Sequence, residues 1–450
     1  MLDTKSFFVL GLGKSGMAVA RLLAGKGYEI VASDDDADVV RSARDARDLT
    51  ELGDRIEPVT MDLAPAALDK CGCLVVSPGV PLEHPLVRRA RQTGITVTGE
   101  LEIAFRFCSS PIIGVTGTNG KSTVVSLLGE VFTAAGRRVV VAGNIGTPLS
   151  AVVETGGSCD VVVLEVSSFQ LDTISKFKAR VAVLLNVTVD HLDRYEESFE
   201  KYASSKARIL DNADDETVFV FNDEDAVCRR IAKGYQGAKI PFSSSRELDV
   251  GVYAREGTIV RSWKGTTEPV LAIEDFSPIG IHNLENAMAS VAAATPFEVD
   301  VASIKLALEN YRPLSHRMEP VKIVDGVTYI NDSKATNVDA TVKSLRSIDG
   351  VVVLILGGLD KSGDFGLLRE HLDHVKRVIL IGDAKEKIRK ALTGSCRILD
   401  AGDLEEAVRE AARIAKAGDT VLLAPACASF DMFENYAQRG EVFRAAVNAL

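Results

Sequence analysis

The run Pro111-Ile112-Ile113-Gly114-Val115-Thr116-Gly117-Thr118-Asn119-Gly120-Lys121-Ser122-Thr123 constrains this chain more than any other stretch. It predicts a buried strand, a glycine-rich turn, and a lysine and hydroxyls opening a helix. Backbone N–H groups and the positive helix end then face phosphates, with Lys121 adding charge and Ser122 an oxygen for Mg²⁺. The helix expectation rests on Val124, Val125, Leu127, Leu128, Val131, Phe132 and Ala135, which recur at helical spacing before Gly136. Val115 stands where the strict phosphate-loop pattern has glycine. The pattern points to nucleoside triphosphate binding.

A length of 450 residues leaves room for about three domains of ~150 residues each. With 46% hydrophobic and 26% charged residues, each can bury an ordinary core. The net charge of −11 argues against nucleic acid or an anionic membrane as the main partner. Seven cysteines are scattered, and Cys71 and Cys73 form a lone pair without a second one, so reduced thiols are expected rather than zinc. The Phe7-Phe8-Val9-Leu10 run is too short for a signal peptide, and no apolar run reaches ~18 residues. A cytoplasmic protein without a membrane partner is expected.

Short apolar runs alternate with helical stretches along the whole chain, the pattern of parallel α/β layers. Expected strands include 7–10, 30–32, 74–76, 112–115, 139–142, 161–164, 181–185, 351–356, 378–381 and 421–423. Joints at Cys108-Ser109-Ser110-Pro111 and Tyr311-Arg312-Pro313-Leu314-Ser315 put boundaries near residues 100 and 313. The first block opens with Gly11-Leu12-Gly13-Lys14-Ser15-Gly16 after a strand, and Asp34 and Asp35 follow the second strand. Taken alone this arrangement suggests NAD and a dehydrogenase, although the same turn binds other diphosphates. Ser77-Pro78-Gly79-Val80 forms a second loop at the same sheet edge.

In the middle block, one apolar strand ends at Glu165, and another leads to Asp190-His191-Leu192-Asp193. Parallel strands bring these ends to the edge that carries the phosphate loop, where Glu165 and His191 can reach a triphosphate-bound Mg²⁺. Lys206 falls seven residues after Phe199, on the apolar face of a predicted helix with Tyr202, Ala203, Ile209 and Leu210. Either its stem packs while the amine reaches water, or the amine faces the active site charged, depressed in pKa or modified. The last block offers polar loops after apolar runs: Asn331-Asp332-Ser333-Lys334-Ala335-Thr336-Asn337, a glycine loop around Lys361, and Cys427-Ala428-Ser429-Phe430-Asp431. Such loops could clamp an anionic small molecule.

Together with Gly143-Asn144-Ile145-Gly146, Glu165-Val166-Ser167-Ser168-Phe169-Gln170, His282-Asn283-Leu284-Glu285-Asn286 and His316-Arg317, these motifs resemble the Mur ligase family of peptidoglycan synthesis over essentially the full length. The resemblance implies an α/β fold of three domains. They would be a Rossmann-like N-terminal domain (1–100), a central P-loop ATPase-like domain (101–313) and a Rossmann-like C-terminal domain (314–450). The Pro425–Asp431 segment and the short first domain resemble the D-glutamate-adding branch. No Asp-Asn-Pro-Arg motif of the diaminopimelate- or lysine-adding branch is present.

That likeness implies ATP, Mg²⁺, D-glutamate and UDP-N-acetylmuramoyl-L-alanine as ligands of a monomeric cytoplasmic amide ligase. Lys14, Ser15, Asp34, Asp35, Ser77 and Gly79 would surround the uridine diphosphate, and Asn144 and Gln170 would face the muramoyl-alanine arm. ATP would lie on Gly117, Thr118, Asn119, Gly120, Lys121, Ser122 and Thr123, with Asn283, Asn286, Arg317 and Asp332 contacting the nucleotide. Ser122, Glu165 and His191 would hold Mg²⁺. Lys206 aligns with a lysine that the family carbamylates, and the carbamate would be a metal partner. Thr336, Lys361, Ser429 and Phe430 would receive D-glutamate, while Lys121 and Lys334 neutralise charge. Another Mur ligase or a folylpolyglutamate synthetase is the alternative within the class. A dehydrogenase or a non-catalytic nucleotide-binding regulator lies outside it.

Overall fold

The computed structural model describes residues 4–45, 55–278, 280–312 and 314–450. Pro313, at the second expected boundary, lies outside them. Three sheets follow one another along the chain. In the first, Ser6–Leu10 is central, with Glu29–Ser33 and Ile56–Pro58 on one side and Cys73–Val76 and Thr96–Gly99 on the other, all parallel. The chain therefore crosses to both sides of its first strand, which opens a crevice at the carboxyl ends where the GxGxxG turn lies.

The second sheet has nine strands. Its parallel heart places Ile112–Thr116 between Val161–Glu165 and Val181–Leu184. Val115, the residue departing from the strict phosphate-loop pattern, is fully buried in that central strand. An extended core position needs no positive φ, so valine serves there. Helices Lys121–Ala134 and Ile281–Ala294 share one apolar cluster, which joins Val124, Leu128 and Val131 to Ala287, Val291 and Ala294.

The third sheet runs Glu319–Val324, Val327–Asn331, Thr420–Leu423, Val352–Gly357, Val375–Ile381, Ile398–Asp400, with only the first pair antiparallel. The expectation of parallel layers throughout needs correcting at two places. Gly251–Arg255, Thr258–Trp263 and Thr266–Ala272 form an antiparallel meander, and Glu319–Val324 pairs antiparallel with Val327–Asn331. Each reversal is a two-residue turn with both φ positive: Glu256 (47°) and Gly257 (73°), Lys264 (50°) and Gly265 (80°), Asp325 (49°) and Gly326 (78°). Such turns match the twist of the strands that they join.

Two buried acids of the helix Glu100–Phe105, at the joint between the first and second domains, bond to the body of the second. Glu100 accepts from Ser150 N at 2.7 Å, and Glu102 accepts from the amides of Ser175, Lys176 and Phe177 at 2.9, 2.9 and 2.8 Å. Burial works against ionisation of Glu102, but those N–H groups and Arg106 outweigh it and hold the carboxyl below its usual range.

Candidate active site

The phosphate loop closes at Gly120, whose φ is 92° and where an added Cβ would lie 2.3 Å from Asn286 Oδ1. Both facts demand glycine. The same contact brings Asn286 against the loop, while Asn283 is buried one turn earlier on that helix. Lys121 Nζ donates to the carbonyls of Gly117 (2.9 Å) and Thr118 (2.8 Å). Ser122 is buried, and Thr123 Oγ1 accepts from Arg317 Nη1 at 2.7 Å.

Lys206 does lie on the inward face of helix Phe199–Ala207, beside Tyr202 and Ala203, and is only 2% exposed. Its amine reaches into the site rather than to water. Nζ donates to Gly117 O at 2.8 Å and stands 4.6 Å from the Tyr202 ring centroid. Burial, then the neighbouring Lys121, pushes its pKa well below the ordinary lysine value.

Glu165, at the end of its strand, is 2% exposed. Asn144 Nδ2 donates to Oε1 at 2.9 Å, and Oε2 is buried without a hydrogen-bond partner. An orphaned carboxylate oxygen suits a hard cation. His191 adopts φ 52°, and burial lowers its pKa to about 4 against the pull of Asp190, so its imidazole is neutral and able to ligate. Among the described residues no three His, Cys, Asp or Glu side chains form a ready-made cage. The orphaned Glu165 Oε2 and the neutral His191 ring each offer a donor that suits an ion keeping water and phosphate ligands, as Mg²⁺ does.

A cavity of about 350 Å³ collects Lys121, His191, Lys206, Lys334, Thr336, Lys361, Ser429 and Phe430, with Thr118 and Asn144 on its wall. All four residues expected at D-glutamate line it. Lys334 Nζ lies 3.8 Å from the Tyr436 ring centroid, and burial followed by Arg317 lowers its pKa to about 8. A second cavity, of about 360 Å³, is lined by Lys14, Ser15, Asp34, Ser77 and Gly79 of the first domain and by Asn144 and Gln170 of the second. Asp34 Oδ2 accepts from Leu12 N at 2.6 Å, fixing the glycine turn. Asp35 is outside that lining and pairs with His84 at 3.1 Å. Asn144 belongs to both cavities.

Family models match along the chain: "Mur ligase MurD-like, N-terminal domain" at residues 5–99, "Mur ligase middle domain" at 115–294, and "Mur ligase, glutamate ligase domain" at 316–427. A Geobacter metallireducens protein is 43% identical, covering 100% of this chain and 98% of its own. One from Desulfosudis oleivorans is 40% identical, covering 100% and 97%. Both are named UDP-N-acetylmuramoylalanine–D-glutamate ligase. The chain belongs to the Mur ligase family. A solved pseudomurein peptide ligase type C from Methanothermus fervidus shares the fold, with a TM-score of 0.63, 19% identity and 99% of each chain covered.

Mur ligases are ATP-dependent, and a third pocket of this Mur ligase lies against the phosphate loop. Asn119, Gly120, Asn286, Arg317, Asp332 and Lys334 line it. Asp332 is buried beneath, accepting from Met318 N at 3.1 Å and from the Ser344 hydroxyl, and burial pushes its pKa up. Asn283 and Thr123 are outside this lining, and Thr123 meets Arg317 instead.

Three residues of this Mur ligase site are not among those expected to hold its ligands. Asp190 is buried and accepts from Lys361 Nζ (2.7 Å) and Asn337 Nδ2 (3.0 Å), which ties the last domain to the catalytic loop. Burial opposes its ionisation, but Lys361 and His191 overcome that and bring its pKa to about 2. Tyr436 packs under Lys334. Arg439 is fully buried and bonds the loops that carry Lys334 and Ser429. The Asp190-His191 motif points at the first of these. Nothing local marks the other two.

Proposed function

We propose that this Mur ligase uses ATP to join D-glutamate to UDP-N-acetylmuramoyl-L-alanine, a step in building peptidoglycan precursors. The observation that carries the reading is Asn144, shared by the nucleotide-sized cavity of the first domain and the lysine-lined cavity over the phosphate loop. A substrate held by its diphosphate at Lys14 and Ser15 extends its acyl end past Asn144 toward Lys121.

The alanyl carboxylate attacks the γ-phosphorus of ATP, forming an O–P bond as ADP leaves. The amine of D-glutamate, held by Thr336, Lys361, Ser429 and Phe430, then attacks the acyl carbon. The tetrahedral intermediate expels phosphate, and the nitrogen loses a proton. Both steps bring anions together, so Lys121 and Lys334 lower the barriers by neutralising charge. Glu165, neutral His191 and Ser122 would hold Mg²⁺, which supplies further charge neutralisation when bound. Burial and the neighbouring Lys121 favour the uncharged amine of Lys206, the form that adds to CO₂ with loss of one proton, giving a carbamate that would face the same centre.

Phosphate release from ATP tests the reading. Release requiring both UDP-N-acetylmuramoyl-L-alanine and D-glutamate is expected, and L-glutamate should not replace the D-isomer. Release with L-glutamate and no UDP-sugar would refute it.

A further inference from the structure

Arg194 takes no part in the chemistry above, yet it joins two regions that the chemistry uses. It projects from the 3₁₀ turn Leu192–Tyr195, and three flanking non-glycine residues have positive φ: His191 (52°), Glu196 (53°) and Glu197 (54°). A segment held in that region is over-determined by its surroundings. The guanidinium supplies part of that hold. Its centre lies 3.9 Å from the Phe169 ring centroid, Nη1 donates to Pro78 O at 2.9 Å, and Nη2 donates to Val80 O at 3.1 Å.

The two acceptors are alternate carbonyls of one loop, 77–80, which walls the first-domain cavity. That loop is pinned at its other end, where Ser77 Oγ donates to Gly11 O of the GxGxxG turn at 2.6 Å. On the opposite side, Phe169 meets His191 edge-on, with centroids 5.1 Å apart at 72°. Contact therefore runs without a break from the cavity wall through Arg194 and Phe169 to His191. Arg194 is not required merely to hold the domains together, because buried Glu100 already bonds Ser150 across the boundary. Its planar fork fits two carbonyls and an aromatic face at once, which a lysine cannot.

We infer that Arg194 is a positioning residue that couples occupancy of the first-domain cavity to the placement of His191 and Phe169 at the phosphoryl-transfer centre. The inference rests on the proposed reading that the UDP-substrate occupies that cavity. A ligand that fixes loop 77–80 fixes the fork, and so biases His191 toward one placement before ATP arrives. By reciprocity, nucleotide binding tightens UDP-substrate binding by the same factor.

Calorimetry on the full chain tests this, with UDP-N-acetylmuramoyl-L-alanine and the Mg²⁺ complex of a non-hydrolysable ATP analogue titrated alone and together. In the wild type, each ligand should tighten the other at least about fivefold, the lower end of typical coupling. In Arg194→Lys and Arg194→Gln each ligand alone should bind within about threefold of wild type, while the tightening falls below about twofold. Turnover should drop with little change in KM for D-glutamate. Hydrogen exchange on the wild type gives a measure independent of the variants: binding of the UDP-substrate alone should slow amides 191–195. Wild-type coupling retained by both variants, no coupling in the wild type, or no change in exchange at 191–195 overturns the inference. Failure of the wild type to bind the UDP-substrate overturns the proposed function with it, so the two failures are distinguishable.

Discussion

Replacing Arg439 by methionine separates stability from function in this ligase. The side chain is fully buried, and its hydrogen bonds all go to uncharged oxygens: Ser333 Oγ (3.0 Å), Ser333 O (2.9 Å), Cys427 O (3.1 Å) and Ala428 O (3.2 Å). Stranding four acceptors costs about 4 kcal/mol at ~1 kcal/mol each. That low value suits carbonyls with a second lone pair, and Ala428 O keeps its bond from Leu359 N. Against this, burial brings the guanidinium pKa down to about 10 from 12.5. The shift measures the cost of the buried charge at about 3 kcal/mol, which the substitution removes. The two nearly cancel, so Arg439→Met should lower the thermal midpoint of the last domain by only a few degrees, equivalent to about 1 kcal/mol. Its active-site loops, however, lose their common anchor. A misplacement of about 1 Å is worth about 100-fold in rate, so kcat/KM for D-glutamate should fall by about that factor. Differential scanning calorimetry and phosphate-release kinetics read the two effects on the same sample. Activity within tenfold of wild type, or a stability loss above about 4 kcal/mol, would refute the accounting.

Lys206→Ala should fall to under about 1% of wild-type turnover, the scale of losing one charge-stabilising contact, with partial recovery in acetate or formate; normal activity would contradict the inward-amine argument. Glu165→Gln should raise the Mg²⁺ concentration for half-maximal activity about tenfold or more, while UDP-substrate binding stays unchanged; an unaltered Mg²⁺ profile would remove Glu165 from the metal site. Lys334, with its pKa brought to about 8, carries its proton below that pH and loses it above. The kcat/KM for ATP should therefore decline as pH rises through about 8 in the wild type, and this limb should vanish in Lys334→Met. Because this pKa is lowered, its contribution to stability has the opposite slope. Stability rises from about pH 8 toward the unfolded value of 10.5.

What the sequence discloses follows from which forces are local. Buried parallel strands such as Ile112–Thr116 and Val161–Glu165 read clearly because both faces are covered and the run is continuously apolar. Helical spacing alone puts Lys206 on the inward face of its helix, where it lies. The antiparallel meander at 251–272 is hard to read because its strands alternate and its signal lies in the turns. In the separate hairpin at 319–331, Asp325-Gly326 carries a turn signal openly. Asp35 follows a strand as a ribose-binding acid should, but a partner 49 residues away, His84, claims its carboxylate. Arg439 and Tyr436 act across separations that no window spans. An arginine in a helix such as Tyr436–Asn448, which also carries Arg444, reads as surface, and only packing shows otherwise.

The contacts that seat the last domain on the phosphate loop use the side chains expected to hold ligands. Lys361 meets Asp190, Arg317 meets Thr123, and Asn119 meets both Asp339 (2.7 Å) and Asn337 (3.4 Å). Lys121 and Lys206 spend their protons on the Gly117 carbonyl. Most of the site's polar side chains therefore already have partners within the protein, Glu165 Oε2 being an exception. Binding exchanges hydrogen bonds rather than creating them, and such exchange contributes little net energy. Electrostatic balance supplies the preference instead, since the central cavity is lined by four lysines and a single carboxylate, Asp190. Burial first, and nearby cations second, depress Lys121, Lys206 and Lys334, and an anion set among them offsets both. The last domain supplies Lys334 and Lys361 to that cavity, and the middle domain supplies Lys121 and Lys206. Affinity for an anion in that cavity and the seating of the last domain thus draw on the same lysines, which two domains bring together over one loop.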